Sequence, residues 1–281
     1  MLDLAGLGPR LQRGDGQAEI GFVQAEGRTR LKHLHQRTPL RVLFPDSEPG
    51  EPTIAALVMT SGGIAGGDRL AVSVTAGAGS AATVTGQAAE KVYRAIDGEP
   101  PAQSSVGLNV EAGAWLEYLP QETILFDRAR LQRRFDIDVA SDGKLLACDM
   151  VVFGRTASGE RFTHGLWQDR WRLHQAGRLV WADAMKVEGL DSIDHPAGFG
   201  GASAHAMALY AGPDAKSWLE AARELAVGCQ RAAATVIGNV LLARFLDRDA
   251  AAVRRALAQY IAGLRNAVAG LPARPPRLWQ F

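Results

Sequence analysis

Apolar and polar residues alternate over short runs through about the first 210 positions. Leu70, Val72 and Val74 are separated by small or polar neighbours, a period of two. Phe135, Ile137 and Val139 fall on one side of an extended segment, with Asp136 and Asp138 on the other. Runs of this kind predict strands over 28–37, 53–59, 70–75, 81–85, 104–110 and 130–139. Turn signals lie between the runs: Gly77-Ala78-Gly79, Asp97-Gly98, Asp142-Gly143, Ser158-Gly159 and Ala176-Gly177. A spacing of roughly 8–12 residues suits a sandwich, a barrel or a β-helix, and no fixed repeat selects among them.

Past the glycine-rich stretch 197–202 the period lengthens. Trp218, Ala222, Leu225, Ala226 and Cys229 follow helical spacing from Lys216 onward. A second helix is expected to open at Asp249, a good N-cap, and to stop near Gly270, with Val253, Leu257, Tyr260, Ile261 and Leu264 on one side. The intervening TVIGNVLLARFLD (235–247) is compatible with a strand. Because of its prolines the tail LPARPPRLWQF (271–281) is expected not to be helical. No linker is long or polar enough to divide the chain. The expectation is one unit, 1–281, with a β-rich body over 1–210 and a helical C-terminal portion over 211–281 that is not an independent domain.

Composition narrows the function classes. The 281 residues are 47% hydrophobic and 22% charged, enough to bury a full core. Lys and Arg number 31 against 30 Asp and Glu, a formal net charge of +1, which argues against a dedicated nucleic-acid or membrane-surface binder. Cys148 and Cys229 sit far apart in apolar settings and read as buried thiols, without the spacing of a zinc site. Residues 1–16 carry no unbroken apolar stretch of the signal-peptide kind, and no run approaches about 18 apolar residues. The expected setting is a reduced cytoplasm.

Candidate chemistry is sparse. The loop SGGIAGGD (61–68) lets the backbone approach a neighbour closely. It lacks the Lys-Ser/Thr of a P-loop, places Asp68 and Arg69 there instead, and does not open a helix. A tight structural turn is favoured. His33 and His35 share one face of a strand and could reach one metal, but no third ligand is near in sequence. His164 in RFTHGLWQD is a conceivable general base without a nucleophile motif, and a β-rich hydrolase built on it is the enzymatic alternative. Carboxylates gather loosely at Glu117, Glu122, Glu160, Asp169, Asp183, Glu188, Asp191 and Asp194. Trp279 beside Arg277 suits a partner interface and equally suits docking back on its own body.

Taken in order, PLRVLFP (39–45), SGGIAGGD (61–68), TGQAAEKVYRA (85–95), LEYLPQETILFDRA (116–129), FGRTASGERFTHG (153–165) and PRLWQF (276–281) resemble the UreD (UreH) family of urease accessory proteins over nearly the whole chain. The resemblance implies a mainly β fold, β-helix-like with about two α-helices towards the end. It also implies a non-enzymatic chaperone of nickel insertion with no tightly bound cofactor and only transient nickel. The implied partners are UreF, the GTPase UreG reached through UreF, and the urease apoprotein, with an internal water-filled path for the metal. Asp68, Glu122 and Glu160 lie inside the family-like motifs and are the expected path residues, His33 and His35 weaker ones. The structural alternatives are that Asp68 caps its turn and Glu122 pairs with an Arg. Trp279, Arg277 and Tyr260 are the expected anchors for UreF. A plain interaction scaffold that never touches nickel is the remaining alternative.

Overall fold

In the computed structural model, which describes residues 13–280, the alternating segments become strands. They are β1 (Asp15–Ala25), β2 (Arg28–Arg37), β3 (Leu40–Leu43), β4 (Thr53–Met59), β5 (Arg69–Ala76), β6 (Ala81–Gly86), β7 (Glu90–Val92), β8 (Ala102–Val110) and β9 (Trp115–Leu119). There follow β10 (Thr123–Leu125), β11 (Arg130–Val139), β12 (Lys144–Phe153), β13 (Leu166–Gln175), β14 (Arg178–Val187), β15 (Ala204–Ala211), β16 (Arg231–Ile237) and β17 (Val240–Asp247). Three α-helices accompany them: α1 (Leu190–Asp194), α2 (Leu219–Leu225) and α3 (Ala250–Ala269). The expected strands at 28–37, 53–59 and 130–139 coincide with β2, β4 and β11, and the other three are a residue or two longer than their patterns.

Two sheets hold these strands. Sheet A runs β14-β13-β11-β8-β5-β1-β2, and sheet B runs β16-β17-β15-β12-β9-β6-β4-β3 with β10 and β7 beside β12. From β4 to β13 the chain winds between them. β5, β8, β11 and β13 stack in parallel in one sheet, and β4, β6, β9 and β12 in the other. The mainly β, β-helix-like expectation is met. Antiparallel strands close the ends of both sheets.

Register puts like residues on like positions. Ile20, Val74, Leu108, Ile137 and Leu173 form one in-register row inside sheet A, all buried. One row away Phe135 stacks on Trp171, 3.7 Å between ring centroids and 7° between planes. Sheet A alternates because only its inner face meets the core, while its outer face meets solvent. The middle strands of sheet B are covered on both faces. All but the first residue of β12 (KLLACDMVVF) are buried, because α3 lays Val253, Leu257, Ile261 and Leu264 on the outer side of that sheet. Burying all these apolar side chains, at roughly 1.5–3 kcal/mol each, drives the winding.

α3 starts and stops as its sequence prescribes. The Asp249 carboxylate accepts the Ala251 N–H at 2.9 Å, and Gly270 ends the helix at φ 64°. Four details differ from expectation. α2 is only seven residues, entered by a 3-10 turn at Ala215–Trp218. It ends at Leu225, before Cys229, because Ala226 leaves helical geometry at ψ 64° and the chain goes on into β16. Residues 235–247 form most of the β16–β17 hairpin, so the C-terminal portion contributes two strands of sheet B as well as helices. The tail makes one 3-10 turn, Arg277–Trp279, just after its last proline. Cys148 is buried as expected, and Cys229 only partly. No helix among the described residues is long and apolar enough to cross a membrane. The first twelve residues, on which the signal-peptide expectation rests, lie outside the described region.

Candidate functional site

The inward side of the winding is apolar except at one place. On β11 the inward parity reads Leu131, Arg133, Phe135, and on β13 it reads Trp167, Asp169, Trp171. Register sets Arg133 against Asp169. β12, in the facing sheet, supplies Asp149. The buried guanidinium donates from Nη1 to Asp149 Oδ1 at 2.9 Å, from Nη2 to Asp149 Oδ2 at 2.6 Å, and from Nε to Asp169 Oδ1 at 2.8 Å. A second bond to Asp169 and one to Thr123 Oγ1 at 3.2 Å complete it.

One cation thus faces two carboxylates in the interior. Burial pushes the Asp169 carboxyl up to about 6, against the opposing pull of Arg133. Burial alone would lower Arg133, but Asp149 and Asp169 outweigh it and hold the guanidinium above its ordinary value. His205, buried on β15, is lowered to about 4 by burial and by Arg244, so it is neutral at pH 7. Arg133 and Asp149 also form part of the wall of a partly open pocket of 370 Å³ between the sheets. Glu90, Thr123, Gln121 and the Ser61-Gly62-Gly63 turn line the same space. Burial raises Glu90 above the usual carboxylate range, Arg133 opposes this and Asp149 adds to it.

The turn itself is structural. A Cβ on Gly63 would stand 2.6 Å from Lys91 O, and Tyr93 Oη donates to Gly62 O at 2.5 Å. Asp68 closes the loop from the other end. Its Oδ2 accepts the Ala65 N–H at 2.8 Å and its Oδ1 the Gly14 N–H at 2.7 Å.

A second buried network pins the chain's end. Arg265 of α3 is fully buried and donates to Glu117 at 2.8 and 2.9 Å, to Glu51 Oε2 at 2.6 Å and to Arg274 O at 2.8 Å. Thr83 Oγ1 donates to Glu117 Oε2 at 2.6 Å. The tail then docks through Trp279 Nε1 on Leu119 O at 3.0 Å and through Gln121 Nε2 on Leu278 O at 2.7 Å.

The residues singled out from sequence do not converge. Glu122 is ion-paired with Arg254 of α3. Glu160 is ion-paired with Arg155 and accepts the Asp127 N–H at 2.9 Å. Neither these nor Asp68 lines the pocket between the sheets. His33 and His35 do share the outer face of β2, at the exposed edge of sheet A, with His33 Nε2 3.4 Å from Glu19 Oε2. Among the described residues no three of His, Cys, Asp and Glu gather as a metal-holding group. His164 contacts Thr163 Oγ1 at 2.9 Å, while Asp127 Oδ1 accepts the Thr163 and His164 N–H groups at 2.7 and 3.0 Å, which is a loop clamp. Tyr260 and Trp279 are buried against the chain's own body at 1% and 5% exposure, so neither offers a partner a surface; Arg277 is exposed. Sequence reasoning missed Arg133, Asp149 and Glu90. For Arg133 a signal existed: a charge at an inward position of an alternating strand.

The UreD urease accessory protein family model matches residues 14–280. The chain belongs to the UreD family. A relative from Magnetococcus marinus named urease accessory protein UreD is 42% identical over 274 residues, covering 95% of this chain and 94% of its own. "Urease accessory protein UreD 3" of Bradyrhizobium sp. (strain BTAi1) is 46% identical over 270 residues, with 95% and 94% covered. The UreD protein of Rhizobium johnstonii is 37% identical over 282 residues and is matched end to end. These UreD relatives carry the name of accessory proteins, and the family supports a role in urease maturation.

Proposed function

We propose that this UreD protein is a non-enzymatic scaffold of urease maturation in the cytoplasm. With UreF, and through it the GTPase UreG, it brings Ni²⁺ to the urease apoprotein. The pocket between the sheets, with the Glu90 and Asp149 carboxylates in its wall, is the observation that supports this reading beyond family membership. Nickel in transit needs ligands weak enough to release it, and scattered oxygen donors meet that need where a His/Cys cluster would trap the ion. Asp149 is committed to Arg133, which leaves Glu90 as the lining carboxylate best suited to a passing cation. Burial shifts Glu90 towards its protonated form, which weakens its hold on a cation.

The test is the E90Q variant, expressed with urease and the other accessory proteins under scarce nickel. Nickel per urease active site is expected to fall several-fold while the complex still co-purifies. Full nickel content in E90Q would remove the pocket's role. The absence of a three-ligand group among the described residues supports a second reading, a scaffold that never touches the metal. Equilibrium dialysis with Ni²⁺, with and without UreF, separates the two.

A further inference from the structure

The outer face of sheet A faces solvent, and its rows can be read directly from the strand register. The first row is Arg69, Gln103, Gln132 and Gln168 across β5, β8, β11 and β13. The next is Ala71, Ser105, Arg134 and Arg170, and the third is Ser73, Gly107, Asp136 and Arg172. Long side chains on β1 and β11 stand on either side of the short ones on β5 and β8. The result is a trough made of two hollows, of 540 and 210 Å³, which share Ala71, Ser105 and Arg134.

Charge is concentrated at one end of it. Arg69, Arg134 and Arg170 are all exposed and all line the larger hollow. Arg134 and Arg170 are direct neighbours on adjacent parallel strands, about 4.8 Å apart. Like charges in that position repel. Arg134 Nε reaches Asp136 at 2.7 Å. Arg69 and Arg170 have no carboxylate partner among the described residues, since Asp15, the acid lining this end, is taken by Arg37 at 2.8 Å. Beside the arginines Gln132 Nε2 donates to Gln168 Oε1 at 3.0 Å, an amide pair with further donors and acceptors free for a ligand.

We propose that this trough docks an extended, carboxylate-rich segment of a partner protein. Guanidinium groups grip carboxylates in paired hydrogen bonds, and an anion here relieves the Arg134–Arg170 repulsion. The trough follows the strand direction, and the step from Arg69 to Ser73 spans about 13 Å, the length of four extended residues. A nucleic acid fits less well. Its phosphates recur without a break, whereas a protein segment can keep its carboxylates at the arginine end and lay uncharged residues over the smaller hollow, which Glu19 and Asp136 line.

The experiment measures binding of a fluorescent hexaglutamate peptide by anisotropy at about 50 mM and about 200 mM NaCl. The proteins are the full chain, R134Q/R170Q, and R41Q, whose substitution lies on β3 of the other sheet. Both trough arginines are exposed, and circular dichroism checks that the double variant folds. The expected result is binding by wild type and R41Q that weakens with salt, and at least a tenfold loss in R134Q/R170Q. Equal binding by wild type and R134Q/R170Q overturns the proposal, as does no binding by wild type at millimolar peptide. A single-stranded oligonucleotide that binds more tightly than the peptide, and loses as much in R134Q/R170Q, also overturns it.

Discussion

Replacing Arg265 with Met removes a cation that satisfies two carboxylates and a main-chain carbonyl at once. Arg265 and Glu117 both have fully buried side chains, and Glu51 is nearly so. The methionine fills much of the space but donates nothing, so Glu117 keeps only the Thr83 hydroxyl. Stripping one partner from a buried pair costs about 3–5 kcal/mol, because the other charge is left in a medium that cannot solvate it. Against a typical stability of roughly 5–15 kcal/mol, that is a large share. Urea unfolding followed by tryptophan fluorescence reads it out. The control is E117L/R265M, in which both charges of the fully buried pair are gone. It is expected to recover most of the loss, since an apolar replacement of a buried ion pair is often neutral. Two results would refute the reasoning: a loss under about 1 kcal/mol in R265M, or a double variant no better than the single.

Two buried groups predict opposite pH behaviour. Asp169 titrates at about 6 in the fold and near 3.9 when unfolded, so the folded chain holds the extra proton between those values. Its contribution to stability therefore falls as pH rises from about 4 to about 6, and D169N should make the urea midpoint drop more steeply on acidification. His205 titrates at about 4 in the fold against about 6.5 unfolded, so its contribution falls as pH drops, and H205L should make the acid drop shallower. Relative to the parent protein the two slopes should change in opposite directions, and a change of the same sign in both variants would contradict one of the assignments. D249A removes the side-chain cap of α3 and is expected to lower stability by about 1 kcal/mol in the same assay, with no change in D249N.

The strands and the long helix were legible because their boundaries are local matters of period, caps and turn residues. β11 follows alternation, and α3 follows Asp249 and Gly270. The parallel winding was not legible. Pairing of β5 with β8, or of β9 with β12, is decided by contacts between segments some thirty residues apart, which no short window records. Asp149 was hidden for a related reason. β12 is buried on both faces, so its run has no alternation against which an inward charge would stand out. Asp68 and Glu122 were visible as motif residues, and the structural alternatives raised for them, a turn clamp and an arginine pair, correspond to bonds they make. Trp279 reads from sequence as either an anchor or a self-docking residue, and its indole rests on Leu119.

Gln121 belongs to two places at once. Its amide nitrogen holds the backbone of the final turn at Leu278, and its side chain is part of the hollow's lining. The last residues of the polypeptide and its interior are therefore joined by a single bond length. Any protein that grips the segment around Leu278 and draws it outward leaves that amide only the longer bond to Gly86 O, at 3.3 Å, and so alters the wall from outside without entering.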